Sequence, residues 1–578
     1  MILLAGSVIA LLVLFLRVDL NPLEWSGLAI AAYLAVKRPS LGARQWRCAE
    51  GWFGAWARRR RLAVISVGAL AVLLRLAIVP IAPVPQPVVV DEFSHRLLAE
   101  TLLLGRASNP THPMWAHLET IQVIQKPTYA SMYFPGQGIF LAAGKAMTGS
   151  LWAGVVLSVG LMSMAICWAL QGWLPPGWAL AGALIAVVRL ALFSYWVNSY
   201  WGGAVGALGG ALVIGAWPRI RRRVAVGPSL LMAVGVSLLA VSRPFEGISV
   251  CIPVACAVLV WLVRLRGVAL WRAAARVVAP ILVVLALAGG LLGVYNTRVT
   301  GNPFRLPYAV NQQTYGWPLT LPWFHTEPHA HSSKAMHDYY LWEAEEHQKI
   351  ADIQGHAFLN LTDALMLWTF FAGPTLTVFL IFLPRTLRDQ RVRLLVAVCA
   401  AGMVAVAIEQ SRYPHYFAPA TAAYLALLMQ SARHMRAWGA RKSPPLLAMA
   451  RAIPVLIVLV VAARAAVPAL RTRDSALGHY MSWCCGKAGN LDRAALLDRL
   501  NRTPGSHLVI VRYGPRHKFM YEWVYNEPQI DKAKVVWARD LGDDANRELI
   551  RYFSGRRVWL LAVNDDNKAP DLTPYPAR

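Results

Sequence analysis

Apolar runs close to the length of a bilayer crossing recur along this chain, separated by short polar or basic stretches. A helix needs about 20 apolar residues to cross the hydrocarbon. Runs near 1–16, 25–36, 62–82, 151–171, 178–197, 202–217, 228–242, 247–264, 276–295, 366–383, 394–411, 414–432 and 453–468 fit that requirement, which predicts a polytopic α-helical membrane protein of about 13 spans. The segment 135–148 is also apolar. Counting it as a span would reverse the side of every later loop, so it reads as a helix lying at the membrane surface. Gly202, Gly206 and Gly210 recur every fourth residue in one run, a stripe that lets helix backbones approach closely. Beyond 470 the pattern changes. Leu508-Val-Ile-Val-Arg, Val535-Val-Trp and Val558-Trp-Leu-Leu-Ala-Val read as buried strands, with helices over 490–502 and 543–553 between them. That alternation predicts a small soluble C-terminal α/β domain, and no phosphate loop or nucleophile elbow is found in it.

Composition sharpens this picture. Apolar residues make up 57% of the chain and charged residues only 15%, well below the roughly 25% of soluble domains. The net charge of +27 would point to nucleic acid in a soluble protein. Here Lys and Arg cluster between apolar runs, at 37–61, 219–223, 264–276, 385–393 and 433–451, so no nucleic-acid partner is expected. Alternating crossings put all five clusters on one side, the cytoplasm of a bacterial inner membrane. The periplasmic side then receives loop 83–150, loop 296–365 and the tail. The expected organisation is two N-terminal spans with a basic loop over 1–61, a transmembrane domain over 62–468 and a periplasmic α/β domain over 469–578. Residues 1–16 lack a basic start and a small-residue cleavage site, so they read as a retained helix. Of seven cysteines, only Cys484 and Cys485 lie in a polar region. Adjacent cysteines are strained partners, and no disulfide framework is implied.

The chemistry concentrates in the outward loops. Val90-Asp91-Glu92-Phe93-Ser94-His95-Arg96 follows the third span, and Lys126-Pro127, Tyr129 and Tyr133 come later in the same loop. Two adjacent carboxylates near a membrane repel each other and lose solvation, which raises at least one pKa. A raised carboxylate can accept a proton from a hydroxyl. The alternative is two solvated charges at a helix mouth. Arg243-Pro-Phe-Glu246 offers an outward charge pair, read foremost as a structural ion pair. Arg75 and Arg189 lie inside spans and call for partners, for which Glu409 is a candidate. Loop 296–365 is rich in Trp, Tyr and His and reads as a lid. His329 and His331, with Glu327 nearby, form a weak alternative metal site, since no Cys or helical His pair accompanies them. No cofactor is otherwise implied.

The acidic pair just outside a span, Ala99-Glu100 a turn or two later, Lys126-Pro127 downstream and the length of this loop together resemble the GT-C glycosyltransferases. The resemblance is to bacterial relatives of the protein O-mannosyltransferases and to lipid A aminoarabinose transferases. Gln410-Ser-Arg-Tyr-Pro-His-Tyr-Phe-Ala-Pro is similar to the late Arg-Tyr…Pro segment of that family. The matches frame most of 62–432. Where the family has Arg-Tyr shortly after the acidic pair, this chain has Ser94, His95 and Arg96. The resemblance implies a sugar donor on a polyprenyl phosphate, a membrane lipid partner, and inverting transfer to a lipid, glycan or protein hydroxyl or amine. It implies Asp91 as general base with Glu92 orienting it or sharing its proton, and Lys126 on the donor phosphate. Arg412, at the outer end of a span, is the second phosphate candidate. Interfacial snorkelling is the competing reading for both cations. His95, Arg96, Tyr129, Tyr133, Arg243, Tyr413 and His415 are candidates for the cavity wall. A transporter or lipid flippase without covalent transfer is the alternative function, although no inverted repeat is visible.

Overall fold

The structure is a computed structural model that describes residues 11–316, 329–351, 353–409, 412–471, 475, 481–486, 488–564 and 570–576. The predicted runs within these residues are helical over most of their length. The start of the first run, Glu327, and His325 lie outside the described residues. The chain is a multi-pass membrane protein. Among the described residues, five helices are long and apolar enough to cross a bilayer: Leu151–Trp173, Pro244–Val263, Gly267–Thr300, Gln390–Ile408 and Pro444–Ala466. A sixth candidate is the bent pair Asn360–Phe371 and Gly373–Leu380. The expected count of about 13 is not reached on length and composition, because several helices are short. Asn21–Lys37 has 17 residues and Pro176–Leu190 and Val226–Ala240 have 15 each. Leu151–Trp173 is 72% buried over its most apolar window whereas Gly267–Thr300 is 6% buried. The first is therefore the central pillar, and the second presents its apolar surface to lipid.

Two predicted spans depart from regular helix. Pro176–Leu190 stops short of the expected end, and residues 191–203 continue as buried turns. Irregular backbone at such depth survives only where protein satisfies its polar groups. Asn198 does part of this, donating to the carbonyls of Leu192 and Ser194. Arg75 donates to Asn198 Oδ1 at 2.7 Å and to the Pro83 carbonyl, and its guanidinium lies over Trp152. The other departure lies at 366–383, where the two helices meet at 97°. Gly373 occupies this break at φ +57, and a Cβ there would come within 2.8 Å of Arg189 Nη2. The break exposes a carbonyl and an amide. Arg189 Nη2 donates to Thr369 O at 2.7 Å, and Thr375 N donates to Glu24 Oε2 at 2.9 Å. Arg189 and Glu24 in turn pair at 2.9 Å, both buried. The intramembrane arginines thus find Asn198 and Glu24, not the expected Glu409. The glycine stripe also divides its roles. A Cβ on Gly210 would strike the Pro419 carbonyl at 1.9 Å, so that position permits close approach, whereas Gly206 lines a cavity.

The helix Pro135–Thr148 is present, half-buried against Val90–Leu103 and Leu151–Trp173. In loop 83–150, β1 (Val123–Ile124) pairs antiparallel with β2 (Ala130–Ser131). In the tail, β3 (His507–Tyr513), β4 (Val535–Arg539) and β5 (Arg557–Val563) are parallel, and β6 (Asp571–Pro574) adds antiparallel to β5, in the order β4-β3-β5-β6. Helices Leu491–Arg502 and Asp543–Tyr552 match the predicted pair. The sheet does not bury both faces within the tail. Leu508, Ile510 and Leu549 share one apolar cluster with Val90, Phe93, Leu97, Met336 and Tyr339 of the outward loops, and Phe93 stacks on Tyr525 at 4.2 Å. The tail is also fastened to the start of the chain. Ser482 donates to Asp19 at 2.7 Å, Arg464 donates to the Cys484 carbonyl, and Trp483 lies under the Arg189 guanidinium. Cys484 and Cys485, not expected to pair, form a vicinal disulfide here.

Breaking one partner of a buried ion pair strands the other charge, at about 3 kcal/mol or more. Glu24→Ala is therefore expected to lower the unfolding temperature of the purified protein in detergent by several degrees. An unchanged temperature would remove the pair from its role in holding the bent span.

Candidate functional site

Segments far apart in sequence converge on one cavity of about 390 Å³. The first turn of Val90–Leu103 supplies Asp91 and His95, and the loop behind β1 and β2 supplies Gln122 and Tyr133. The start of Ala204–Arg222 gives Gly206, and the start of Pro244–Val263 gives Arg243 at its cap and Glu246 in its first turn. The helix Lys334–Ala351 contributes Tyr339, Trp342 and Glu343, and the stretch after the helix ending at Ile408 contributes Glu409, Tyr413 and Tyr416. Met520 reaches the rim from the tail.

Asp91 is half-buried, and Tyr133 donates a short hydrogen bond to its Oδ1. Loss of solvation raises its pKa above the usual carboxylate range, against the opposing Tyr133 bond and the Arg243 charge. A carboxylate with one face on protein donors and another on a cavity is placed to take a proton from a bound group. His95 stacks on Tyr133 at 4.4 Å, and burial pushes its pKa down to about 3, so it is neutral at ordinary pH. Its Nδ1 has no hydrogen-bond partner among the described residues. Glu343 comes from the opposite wall. Tyr339 donates to it at 3.1 Å, and Gln122 donates to the Tyr339 hydroxyl at 2.9 Å. Burial, with a smaller contribution from the negative charge of Asp91, pushes the Glu343 carboxyl up to about 7. Arg243 is the sole Lys or Arg among the described lining residues. It pairs with Glu246 at 3.1 Å and lies 4.7 Å from the Tyr416 ring centroid.

Of the residues singled out by sequence, Asp91, His95, Tyr133, Arg243 and Tyr413 meet here. Glu92 does not. Its Oε2 accepts from the backbone of Val88 at 2.8 Å and Val89 at 3.1 Å, and its Oε1 accepts from the backbone of Tyr200 at 3.0 Å. Adjacent positions on a helix point about 100° apart, so Asp91 faces the cavity while Glu92 turns into the protein as a buried cap. Burial pushes its carboxyl up to about 7 in spite of those three donors. Lys126 is exposed and sits 4.1 Å over the Trp115 ring. Arg412 is buried beside Asp363 at 2.7 Å and donates to Asn360 and to the carbonyls of Ala407 and Glu409. Neither expected phosphate ligand lines the cavity. Arg96 opens instead onto a separate cleft with Asn490 and Arg493. Tyr129 donates to the Asn526 carbonyl, away from the cavity. His415 lies just behind the wall, stacked on Tyr413 and hydrogen-bonded to Tyr195 at 2.9 Å. The weak metal alternative is not assembled: His331 Nε2 is taken up by the Tyr315 carbonyl and its ring stacks on Tyr340. Among the described residues, Asp19, Cys484 and Cys485 also come within mutual reach, but the two sulfurs are joined to each other in the disulfide and offer no thiolate to a metal.

Sequence reasoning passed over Glu343 and Tyr308, and read Glu409 only as a partner for an intramembrane arginine, not as a wall of the cavity. A signal for Glu343 existed: Met336, Tyr339, Tyr340, Glu343 and His347 recur at helical spacing in the loop read as a lid.

No family model matches the chain, and no curated protein matches it. Among solved structures, the oligosaccharyltransferase of Archaeoglobus fulgidus in complex with zinc and sulfate is similar at 11% identity and a TM-score of 0.48, over 86% of this chain and 67% of that one. ArnT from Cupriavidus metallidurans in the apo state is similar at 12% identity and a TM-score of 0.47, over 86% of this chain and 93% of that one. The same protein bound to undecaprenyl phosphate gives 13% identity and a TM-score of 0.45 over the same shares. These neighbours are glycosyltransferases, at an identity too low for residue roles to be carried across.

The geometry fixes how the cavity should titrate. A nearby anion raises the pKa of a carboxyl, and a donor to its ionised form lowers it. Glu343→Gln is expected to move the protonation midpoint of Asp91 to lower pH, and Tyr133→Phe to move it higher. Infrared difference spectra of the carboxyl band across pH 4–9 would show both, and equal midpoints in all three proteins would contradict the arrangement.

Proposed function

We propose that the chain is an inverting glycosyltransferase that takes its sugar from a polyprenyl-phosphate donor. Asp91 is its general base, working on the outer face of a bacterial inner membrane. The observation that supports this most is Asp91 itself, raised by burial and held by Tyr133 at the wall of a cavity whose sole described Lys or Arg is Arg243. The resemblance of the loop containing Asp91 and Glu92 to GT-C enzymes agrees with this reading.

In this reading the acceptor, a hydroxyl or amine, enters beside Asp91. As its oxygen or nitrogen attacks the anomeric carbon, Asp91 takes the acceptor proton. The bond between that carbon and the phosphate oxygen breaks on the opposite face, which inverts the centre and releases the polyprenyl phosphate. The electron pair of that bond stays on the phosphate. A cation aimed at the developing charge stabilises it most where water is excluded. Arg243 takes this role in place of Lys126 and Arg412 because, of the three, it alone lines the cavity, and a guanidinium can hold two phosphate oxygens at once. Its partner Glu246 fixes the fork in the absence of donor. Glu92 is a positioning residue that sets the first turn carrying Asp91. The active cavity and the tail lie on the periplasmic side, opposite the five basic clusters, and the acceptor is a lipid, glycan or protein group there.

Asp91→Asn is expected to abolish sugar transfer from a polyprenyl-phosphate donor in proteoliposomes, while the protein keeps its elution profile and unfolding temperature. Undiminished turnover would falsify the assignment of the base. Arg243→Gln should lower kcat by about a hundredfold, whereas Lys126→Ala should stay within about threefold of the parent. The reverse order would return the phosphate to Lys126. Flux of the lipid donor across the bilayer without covalent product would favour a flippase instead.

A further inference from the structure

A second cleft, of about 160 Å³, opens where the parallel strands β3 and β4 end, between the tail and the helix Lys334–Ala351. Crevices outside the carboxyl ends of parallel strands are where open α/β sheets receive ligands. The lining here carries Lys334, Arg512 and Arg539 against Asp338 and Asp540, with His517 beside them. Lys334 pairs with Asp338, and Arg512 with Asp540 at 2.5 Å. Arg539 is buried. Its Nε donates to the Glu119 carbonyl at 2.6 Å and its Nη2 to Glu522 at 2.5 Å. Its Nη1 has no hydrogen-bond partner among the described residues. A buried guanidinium nitrogen left without an acceptor is costly, and a planar fork with one arm committed suits an incoming oxyanion.

We infer that this cleft is a second binding site, for a phosphate or carboxylate group, anchored by Arg539 with Arg512 and Lys334 at its mouth. The same helix supplies both cavities: Lys334 and Asp338 line this cleft, and Tyr339, Trp342 and Glu343, within about one turn of Asp338, line the main one. Phe519 and Met520 divide in the same way from the tail side. An anion held between the tail and the first turns of this helix therefore steadies the wall that carries Glu343. That coupling rests on the proposed function of the main cavity, whereas binding in the second cleft does not.

The test uses the full chain in nanodiscs and reads hydrogen–deuterium exchange over 334–347 and 511–519 with inorganic phosphate as probe. In neutral phosphatidylcholine discs, phosphate should protect both segments saturably, with a concave dependence on concentration. Protection without added phosphate, in discs containing phosphatidylglycerol only, would identify a lipid headgroup as the source of the anion and still support the site. In either case the double variant Lys334→Gln/Arg512→Gln should weaken binding about tenfold or more with no change in unfolding temperature. Arg539→Gln should abolish it, and because that variant breaks a buried pair, the double variant decides if it fails to fold. Absence of saturable protection in both disc types, or protection unaltered in the double variant, would overturn the site. Because exchange needs no turnover, failure of the glycosyltransferase reading would leave this result intact.

Discussion

The candidate site depends on one carboxylate that does not touch it. Glu92 gathers three backbone N–H groups, two from the turn before its own helix and one from Tyr200 in the irregular stretch 191–203. The amides of Val89 and Tyr200 belong to buried residues, and a buried amide left without an acceptor costs about 1–3 kcal/mol. The bond to Tyr200 joins the first turn of Val90–Leu103 to the buried stretch that links Pro176–Leu190 with Ala204–Arg222, so Asp91 is tied to the bundle. Glu24 repeats the device at the bent span, where its carboxylate accepts from Thr375 while Arg189 covers the opposing carbonyl. In both places an acid serves irregular backbone. Such backbone is what a bundle needs if a cavity is to open between its helices.

The electrostatics of the cavity follow from burial more than from its formal charges. Its described lining holds Asp91, Glu246, Glu343 and Glu409 with Arg243 alone in opposition. Several tyrosines and a neutral His95 fill the rest. Raised carboxyls soften the accumulation of negative charge, because a proton on Glu343 relieves Asp91. In the proposed reading, an anionic donor group beside Arg243 would meet one strong cation among tyrosine hydroxyls and carboxyls.

Much of the fold was legible because period and charge are local properties. The apolar runs gave helices, and the strands and helices of the tail fell close to their expected limits. Three things were not local. The stretch after 176–190 is held by Arg75 and Glu92, and the bend at 372–373 by Arg189 and Glu24, all of which lie about a hundred residues away or more. The sheet shares its core with loop helices, so the tail resembled a separate domain in sequence although it lacks an interior of its own on one face. The site was half legible. Asp91 carried a motif, but its neighbour Glu92 pointed elsewhere by helix geometry. Lys126 and Arg412 had the right chemistry and found other partners in Trp115 and Asp363. Glu343 was overlooked because it sat in a polar loop where its helical spacing went unread.

The contact between Asp19 and Ser482 has a consequence in time. The first membrane helix leaves the ribosome long before Ser482, Trp483 and Arg464 exist. At about 5–20 residues per second, that interval runs to tens of seconds. During it Asp19 and Arg189 lack the groups that later cover them. These contacts of the amino-terminal helices therefore close only after residues 464 to 484 have been made.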